Sequence, residues 1–264
     1  MYIKDSEYRN RISTFCKKTI SKKYYPHYLY YKLHGLTIKK PKLAGILPVS
    51  SNYDAKNNIV TLVDEDDLEF MLMQVVSTDY HTPIYSGFSI GKLGNGLNNG
   101  YTNLLVKRYF NKSKESYPIE MKIAFNIEQI VTKKLMEQLY FKADLNGLIN
   151  ELSKYSSKQQ VVDLINSIDY INKRVNYDRT KSNHERFIIH KVKEINLFLL
   201  NCYINKLTIE FKNNQISLNE FYENLKNYSK NLKYVMNPFE EKYCILTYKN
   251  IDDSIKKHIK LLHI

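Results

Sequence analysis

Residues 182–214, SNHERFIIHKVKEINLFLLNCYINKLTIEFKNN, are the stretch that decides the predicted fold. Ser182 and Glu185 have the spacing of a capping box, which marks a helix start. The pattern predicts a helix over 182–213, roughly 45 Å long at a rise of about 1.5 Å per residue. Because a helix that is apolar on most sides is normally surrounded by others, we expect it at the centre of a helical bundle. The apolar residues behind this expectation are Phe187, Ile188, Ile195, Phe198, Leu199, Cys202 and Leu207.

The rest of the second half also has a helical period. Apolar residues recur every three to four positions from residue 126 onward. Ser157 is an expected helix cap, and Ser217 with Glu220 forms another capping box. The predicted helices cover 127–143, 144–155, 157–175, 217–234 and 252–264, and a strand is predicted over 242–248.

The first half alternates helices with short β-type runs. A helix is predicted over 6–25, ending before Pro26, and another over 64–78 with four acids in its first turn, where the helix dipole stabilises anions. The predicted strands are 28–33, 45–49, 58–63, 83–90, 101–110 and 117–125.

Together these elements predict an α+β fold. Residues 1–114 form a mixed α/β region with short antiparallel strands, a basic arm and an acidic helix. Residues 115–264 form a mainly helical region around the long central helix. The seam is expected near 112–117, and the two regions are also compatible with one continuous domain.

Composition disfavours several classes of protein. Eight glycines in 264 residues are few for a nucleotide-binding α/β enzyme, which places glycines at several strand-to-helix turns. Cys16, Cys202 and Cys244 are odd in number and show no C-x-x-C spacing, so neither a disulfide framework nor a zinc site is expected. No secretory signal and no apolar run of membrane-spanning length are found. These features predict an intracellular, cytoplasmic protein.

Charge is unevenly distributed over the basic chain, whose formal net charge is +13. Residues 1–50 carry eleven Lys or Arg against two acids, and residues 51–100 carry two Lys against seven acids. The basic arm and the acidic stretch are either complementary within the chain or surfaces for a partner. The candidate partner-binding residues are Lys17, Lys18, Lys22, Lys23, Tyr24, Tyr25, Lys32, Asp64, Asp66 and Asp67.

In the basic arm, lysine can neutralise phosphates and tyrosine can stack on bases, which is typical of nucleic-acid binding. The alternative is the outer face of an amphipathic helix with its tyrosines packed below. Around the acidic stretch, NYDAKNNIVTLVDEDDLEFML (52–72) resembles the acidic motif of PB1 domains. That resemblance implies pairing with a basic protein surface, and an acid-capped surface helix is the alternative.

The run GFSIGKLGNGLNNGY (87–101) holds five of the eight glycines. Its spacing fits neither a P-loop nor a dinucleotide fingerprint, so a hairpin loop with positive φ angles is predicted. The run also resembles the nucleotide-covering loop of protein kinases, which implies that Lys107 in LLVKRY would pair with phosphates.

The segment YPIEMKIAF (117–125) resembles the E-x-K strand of PD-(D/E)xK nucleases. On a strand, Glu120 and Lys122 would project from one face. The resemblance implies that Glu120 and an upstream acid, Asp79 in STDYHTP, hold Mg²⁺ while Lys122 activates water. A solvated strand face is the alternative.

Three further segments, LHGLT (33–37), VVSTDYHTPIY (75–85) and SIDYIN (167–172), resemble those of diphtheria-type ADP-ribosyltransferases. The resemblance implies that His34 and Tyr85 bind the nicotinamide dinucleotide and that Asp169 replaces the catalytic Glu. His184 and His190 lack the spacing of a zinc pair, so no metal site is expected.

The sequence therefore favours a basic, intracellular interaction protein that acts through charged surfaces on a protein or nucleic-acid partner. No cofactor is expected. The main alternative is a nuclease that uses Asp79, Glu120 and Lys122, and Mg²⁺ is expected only in that case. ADP-ribosyltransferase-like and kinase-like enzymes are more remote alternatives.

Overall fold

The computed structural model describes residues 6–19, 32–33, 35–40, 51–79, 81–111, 116–177 and 182–233. Its helices are α1 (Ser6–Thr19), α2 (Leu68–Ser77), α3 (Asn95–Phe110), α4 (Pro118–Val131), α5 (Lys133–Phe141), α6 (Leu145–Leu152), α7 (Lys158–Tyr177), α8 (Ser182–Lys212) and α9 (Leu218–Lys233). Its strands are β1 (Thr37–Lys39), β2 (Asn52–Asp54), β3 (Ile59–Thr61), β4 (Tyr85–Ser86) and β5 (Ser89–Ile90). The fold is helix-dominated α+β, in agreement with the predicted class at this level.

Helix α3 lies among the other helices and packs against α2, α4 and α7. It was predicted as a strand over 101–110, and this prediction is wrong. A helix in contact with neighbours on several sides has no polar face, so its sequence lacks the helical period that identifies surface helices. Its buried residues are Gly96, Leu97, Asn98, Gly100, Tyr101, Thr102, Asn103, Leu105 and Val106.

Two glycines allow the close packing of α3. A Cβ at Gly96 would lie 2.7 Å from the carbonyl oxygen of Ile168 in α7. A Cβ at Gly100 would overlap with the backbone of Glu120 in α4. Helices α7 and α4 therefore approach α3 at backbone distance, at glycines one helical turn apart.

The predicted strand over 117–125 is also wrong, because these residues form the first part of α4. Pro118 lies in the first turn, where its missing N–H costs nothing. Ile119, Met121 and Ile123 alternate as in a strand, but Ile119, Ile123 and Ile127 also recur at helical spacing and are buried.

The strands form two small sheets. In the first, β3 pairs antiparallel with β2 but parallel with β1, so the expectation of antiparallel strands is only partly correct. In the second, β4 and β5 form an antiparallel hairpin within the predicted strand 83–90. Of the predicted strand over 28–33, only Lys32 and Leu33 are described, and both are helical. The predicted strand over 45–49 lies outside the described residues.

The helices predicted over 127–143, 144–155, 157–175 and 217–234 are present in the described residues. The predicted helix 127–143 is divided at Thr132, whose φ is +81° and which separates α4 from α5. Two predicted caps are confirmed: Ser157 Oγ accepts a hydrogen bond from Gln160 N at 3.3 Å, and Ser217 Oγ from Glu220 N at 3.3 Å. The segments 242–248 and 252–264 lie outside the described residues.

The long helix predicted over 182–213 is observed as α8, which packs against α4, α7 and α9. Phe187 is 63% exposed and Ile209 is 43% exposed, so α8 is not enclosed along its whole length. The side chains of Ser182 and Glu185, the predicted capping box, are outside the described part. The predicted seam at 112–117 falls between α3 and α4, two helices that pack directly on each other.

The packing at Gly100 generates a stability prediction with an unusual sign. Glycine-to-alanine changes inside a helix normally stabilise it by about 1 kcal/mol. We expect Gly100→Ala instead to lower the free energy of unfolding by about 3 kcal/mol, because its methyl group would overlap with the α4 backbone. The measurement is urea unfolding followed by circular dichroism.

Gly91→Ala is the matched control for this experiment. Gly91 has a φ of +60° but no atom within 4 Å of an added Cβ, so the change costs only backbone strain, about 1 kcal/mol. If Gly100→Ala proved as stable as the parent protein, the close contact between α3 and α4 would be wrong.

Candidate functional site

The described part of the basic arm is the outer face of α1. Tyr8, Ile12 and Phe15 point into the core, whereas Lys17 and Lys18 are exposed. The ammonium group of Lys18 lies 5.5 Å from the centre of the Phe110 ring, over a ring that stacks on Phe15. Helix α1 is therefore a basic amphipathic helix docked by its apolar side. The other predicted arm residues Lys22, Lys23, Tyr24 and Tyr25 lie outside the described residues.

Lys32 does not belong to this exposed surface. The residue is only 8% exposed, and burial lowers the pKa of its ammonium group to about 8, although Asp79 acts in the opposite direction. The expectation that Lys32 contributes an exposed charge is corrected accordingly, because an ammonium group inside the protein cannot contact a large partner.

The acidic stretch is largely engaged within the chain. The guanidinium of Arg11 on α1 donates to Glu69 Oε2 at 2.7 Å and to the carbonyl oxygen of Glu65 at 2.9 Å. Lys40 Nζ donates to Glu65 Oε1 at 2.7 Å. The sequence left two alternatives for the acidic stretch: pairing with basic residues of the same chain, or contact with a partner. Glu65 and Glu69 pair within the chain.

The predicted acidic binding residues lie together in the turn before α2, where Asp64 has a capping role. Asp64 Oδ1 accepts a hydrogen bond from Asp66 N at 2.9 Å, and Asp67 is the residue before the first turn of α2. Desolvation is the largest single influence on the pKa of the Arg11 guanidinium and lowers it. Glu69, Asp66 and Glu65 together outweigh desolvation, so the pKa is raised above its usual value. Binding of a partner by these acids remains a prediction.

The geometry assumed for the nuclease residues is wrong, because Glu120 and Lys122 lie on helix α4. Residues two positions apart on a helix point about 200° apart, so the two side chains do not share a face. Glu120 is 1% exposed, whereas Asp79 uses Oδ1 to accept hydrogen bonds from His81 N and Thr82 N at 2.8 and 2.6 Å. Within the described ranges, no group of three His, Cys, Asp or Glu side chains is arranged to hold a metal ion.

Glu120 is nevertheless chemically unusual. Its Oε1 has no hydrogen-bond partner among the described residues, and desolvation raises the pKa of the carboxyl to about 7. The carboxyl is buried where α4 meets Gly100 of α3. This environment favours the protonated carboxyl and leaves it out of contact with solvent.

The glycine run does not hold a phosphate, because an internal carboxylate occupies its helix start. Asp169 on α7 accepts hydrogen bonds from Gly94 N and Gly96 N, both at 2.7 Å. These are the first amides of α3, the groups that would bind an anion at a helix N-terminus. Asp169 is 5% exposed and is used structurally, so the geometry does not support the proposed role in an ADP-ribosyltransferase.

The glycine run was predicted to be a hairpin loop between strands at 83–90 and 101–110, and this prediction is wrong because Asn95–Phe110 is helix α3. Positive φ angles are present at Gly87, Gly91 and Gly94, but the observed hairpin of β4 and β5 lies within 83–90, and Gly96 and Gly100 lie inside α3. Lys107 is also on α3, so the strand required by the kinase resemblance is absent at this position. His34, the other ADP-ribosyltransferase candidate, lies outside the described residues.

Sequence analysis missed a buried ionic cluster that joins α3, α4 and α5. Arg108 donates to Glu128 Oε1 at 2.7 Å, to Glu128 Oε2 at 3.1 Å and to Glu137 Oε1 at 3.2 Å. Tyr101 Oη donates to Glu128 Oε2 at 3.0 Å, and Tyr109 Oη to Glu137 Oε1 at 3.0 Å. Both oxygens of Glu128 and Oε1 of Glu137 accept hydrogen bonds within the cluster. The cluster therefore links the three helices as part of the structure.

A second unpredicted feature is a cleft between the β4–β5 hairpin and the corner between α5 and α6. We call it the hairpin cleft. Its volume of about 400 Å³ is within the range of small-ligand sites. It is lined by Tyr85, Ile90, Lys142, Ala143, Asp144, Leu145 and Asn146.

Comparison of the chain with protein-family models, with curated proteins and with solved structures finds no match. None of the sequence resemblances is therefore strengthened. No helix in the described ranges is both long and apolar enough to cross a membrane. Cys16 and Cys202 are free thiols, and Cys244 lies outside the described part.

The buried carboxyl of Glu120 generates a pH prediction. Below a pH of about 4.5 the group is protonated in both the folded and the unfolded chain. As the pH rises towards 7 the unfolded chain ionises first, so the free energy of unfolding falls, by up to about 3 kcal/mol in total. We expect Glu120→Gln to lack this contribution and to gain stability over the parent protein as the pH rises.

Urea unfolding at about pH 5 and about pH 8 measures this difference. Glu223→Gln, a change at an exposed residue on α9, is the control and is expected to follow the parent protein at both pH values. Parallel pH dependence of the parent protein and Glu120→Gln would show that Glu120 ionises normally in the folded state.

Proposed function

We propose that this protein is a non-catalytic binding protein whose basic exterior engages a nucleic acid, with the outer face of α1 as a contact surface. The observation that carries the proposal is the internal pairing of the acidic stretch. Glu69 and Glu65 of the acidic stretch already pair with Arg11 and Lys40. These two acids therefore do not neutralise the lysines of α1, which face outward.

The surplus of exposed positive charge supports an anionic partner. Among the residues whose exposure the structure describes, exposed basic side chains occur on α1, β1, α5, α7, α8 and α9 and in several turns. They are Arg9, Lys17, Lys18, Lys39, Lys40, Lys56, Lys92, Lys133, Lys134, Lys142, Lys154, Lys158, Lys173, Arg174, Lys212, Lys226 and Lys230. The exposed acids in the same described residues are fewer: Asp54, Asp64, Glu65, Asp66, Asp163, Glu194, Glu220 and Glu223.

A nucleic acid fits this distribution better than an acidic protein does. Its phosphates repeat at short intervals along an extended backbone, so lysines spread over several elements can each neutralise a phosphate. An acidic protein surface is local and would favour one compact basic patch. Lys17 and Lys18 are adjacent in the last turn of α1, so both can approach one stretch of backbone.

No described contact favours the nuclease alternative, since the E-x-K pair is on a helix and Glu120 is buried. Binding through lysines and phosphates requires no metal ion. The proposal therefore includes no cofactor, and it expects a bound strand to remain intact.

The test is fluorescence anisotropy with a labelled oligonucleotide at several salt concentrations. We expect binding that weakens steeply with salt, because bound phosphates release counterions. Lys17→Glu combined with Lys18→Glu should lower the affinity about tenfold or more at roughly 0.1 M salt and should flatten the salt dependence.

The matched control is Lys226→Glu combined with Lys230→Glu, which changes the charge equally on the exposed face of α9. It is expected to weaken binding much less than the α1 pair does. Equal effects of the two pairs would contradict the assignment to α1, and absence of binding at low salt would contradict nucleic-acid binding altogether. Strand cleavage in Mg²⁺ that is lost in Glu120→Ala would instead favour the nuclease.

A further inference from the structure

We propose that the hairpin cleft binds a nucleotide. The cleft is separate from the basic face of α1 and contains none of the residues that the sequence resemblances propose as catalytic. Of the residues that they propose for binding, it contains Tyr85. The inference follows from three properties of its walls: they are fixed in position, they combine a ring with apolar side chains, and they carry charges of both signs.

The hairpin wall is held on both sides of its turn. Its backbone forms two hydrogen bonds with residues at and just after the end of α2, from Asp79 N to Tyr85 O at 2.8 Å and from Gly87 N to Ser77 O at 2.9 Å. Gly91 N donates to Ile84 O at 3.0 Å across the base of the hairpin itself. Phe88 N also donates to Asn98 Oδ1 on α3 at 3.1 Å. Tyr85 and Ile90 are therefore presented by a hairpin that is fixed to α2 and α3.

The opposite wall is the corner where α5 ends and α6 begins. Ala143 has a φ of +54°, and Asp144 Oδ1 accepts a hydrogen bond from Gly147 N at 2.7 Å, which fixes the start of α6. Leu145 is fully buried below and packs close to Gly94, next to the start of α3. Both walls are thus in place before a ligand arrives, which reduces the entropic cost of binding.

The side chains of the cleft match the parts of a nucleotide. The ring of Tyr85 and the side chain of Ile90 offer apolar area for a base, and stacking on an aromatic ring is worth about 1–3 kcal/mol per base. The exposed ammonium group of Lys142 can pair with a phosphate. Asn146 and the second oxygen of Asp144 can accept hydrogen bonds from an amino group of the base or from ribose hydroxyls.

The presence of Asp144 beside Lys142 distinguishes this ligand from a bare anion. A free phosphate near Lys142 would meet the repulsion of the Asp144 carboxylate. A nucleotide can place its phosphate at Lys142 and direct hydrogen-bond donors to Asp144. The cleft is therefore expected to select a ligand that carries both an anionic group and a ring with donors.

This inference deepens the proposed function. The nucleotide in the cleft can be one residue of a bound nucleic acid, and in that case the inference rests on the proposed function. The other source is a free mononucleotide. The chemistry of the site is the same for both sources, so the site is tested first with mononucleotide and the source afterwards with oligonucleotide.

The experiment is a titration of the ¹⁵N-labelled protein with AMP, adenosine and inorganic phosphate, followed by NMR. We expect AMP to shift the amides of Ile90, Leu145 and Asn146, with weaker binding of adenosine and no shifts from phosphate. Lys142→Glu should lower the affinity for AMP about tenfold, the change that corresponds to about 1.4 kcal/mol. Lys154→Glu, a change at an exposed lysine of the α6–α7 turn, is the control and should leave AMP binding unchanged.

Tyr85→Ala tests the stacking contribution and should weaken adenosine and AMP equally. Lys142 is exposed, so its variant folds even if Tyr85→Ala does not, and the titration remains decisive. Absence of shifts at the cleft with AMP would overturn the proposal. Equal shifts with phosphate and AMP would also overturn it, since the cleft would then be a general anion site.

Oligonucleotide binding by Lys142→Glu then identifies the source. If Lys142→Glu binds the oligonucleotide more weakly than the parent protein does, the cleft holds one nucleotide of a bound nucleic acid. If oligonucleotide binding is unchanged and AMP binding is lost, the cleft holds a free nucleotide. The two proposals fail separately. If the α1 charge reversal weakens oligonucleotide binding but AMP causes no NMR shifts at the cleft, only the cleft proposal is overturned. If AMP causes these shifts but the α1 charge reversal leaves oligonucleotide binding unchanged, only the proposed α1 surface is overturned.

Discussion

The structure depends on the contact between Asp169 and the start of α3. A buried helix start leaves N–H groups without water, and each unpaired group costs roughly 1–3 kcal/mol. Asp169 accepts from two of them, Gly94 N and Gly96 N, and comes from a helix more than seventy residues further along the chain. This contact joins α3 to α7 at one end, and the cluster around Arg108 joins α3 to α4 and α5 at the other.

The same contact explains where function can lie. The carboxylate of Asp169 takes the position that a phosphate would need, so the glycine run is part of the core. Glu120 and Lys32 are buried as well, and the acidic stretch is paired with Arg11 and Lys40. Within the described ranges, the places that we propose for binding are the basic face of α1 and the hairpin cleft, and both lie at the surface around the interior that α3 organises.

Sequence reasoning predicted the helices that carry local signals and failed at α3 and at the start of α4. Helices α7, α8 and α9 were predicted because their caps and helical periods are local signals, as with Ser217 and Glu220. Helix α3 has contacts on several sides and carries glycines for close packing, so its sequence has no periodic polar face. Of the site residues, Lys17 and Lys18 were predicted correctly as exposed, whereas the partners of Asp169 and Arg108 are distant in sequence and have no local pattern.

The most direct test of this account is the free energy of unfolding of Asp169→Asn, with Asp163→Asn as the control on the exposed side of the same helix. Loss of the charge-assisted hydrogen bonds should destabilise the protein by roughly 3 kcal/mol, while the control should change by less than about 0.5 kcal/mol. If Asp169→Asn unfolds at the same urea concentration as the parent protein, the start of α3 is not held by this carboxylate, and the central claim is wrong.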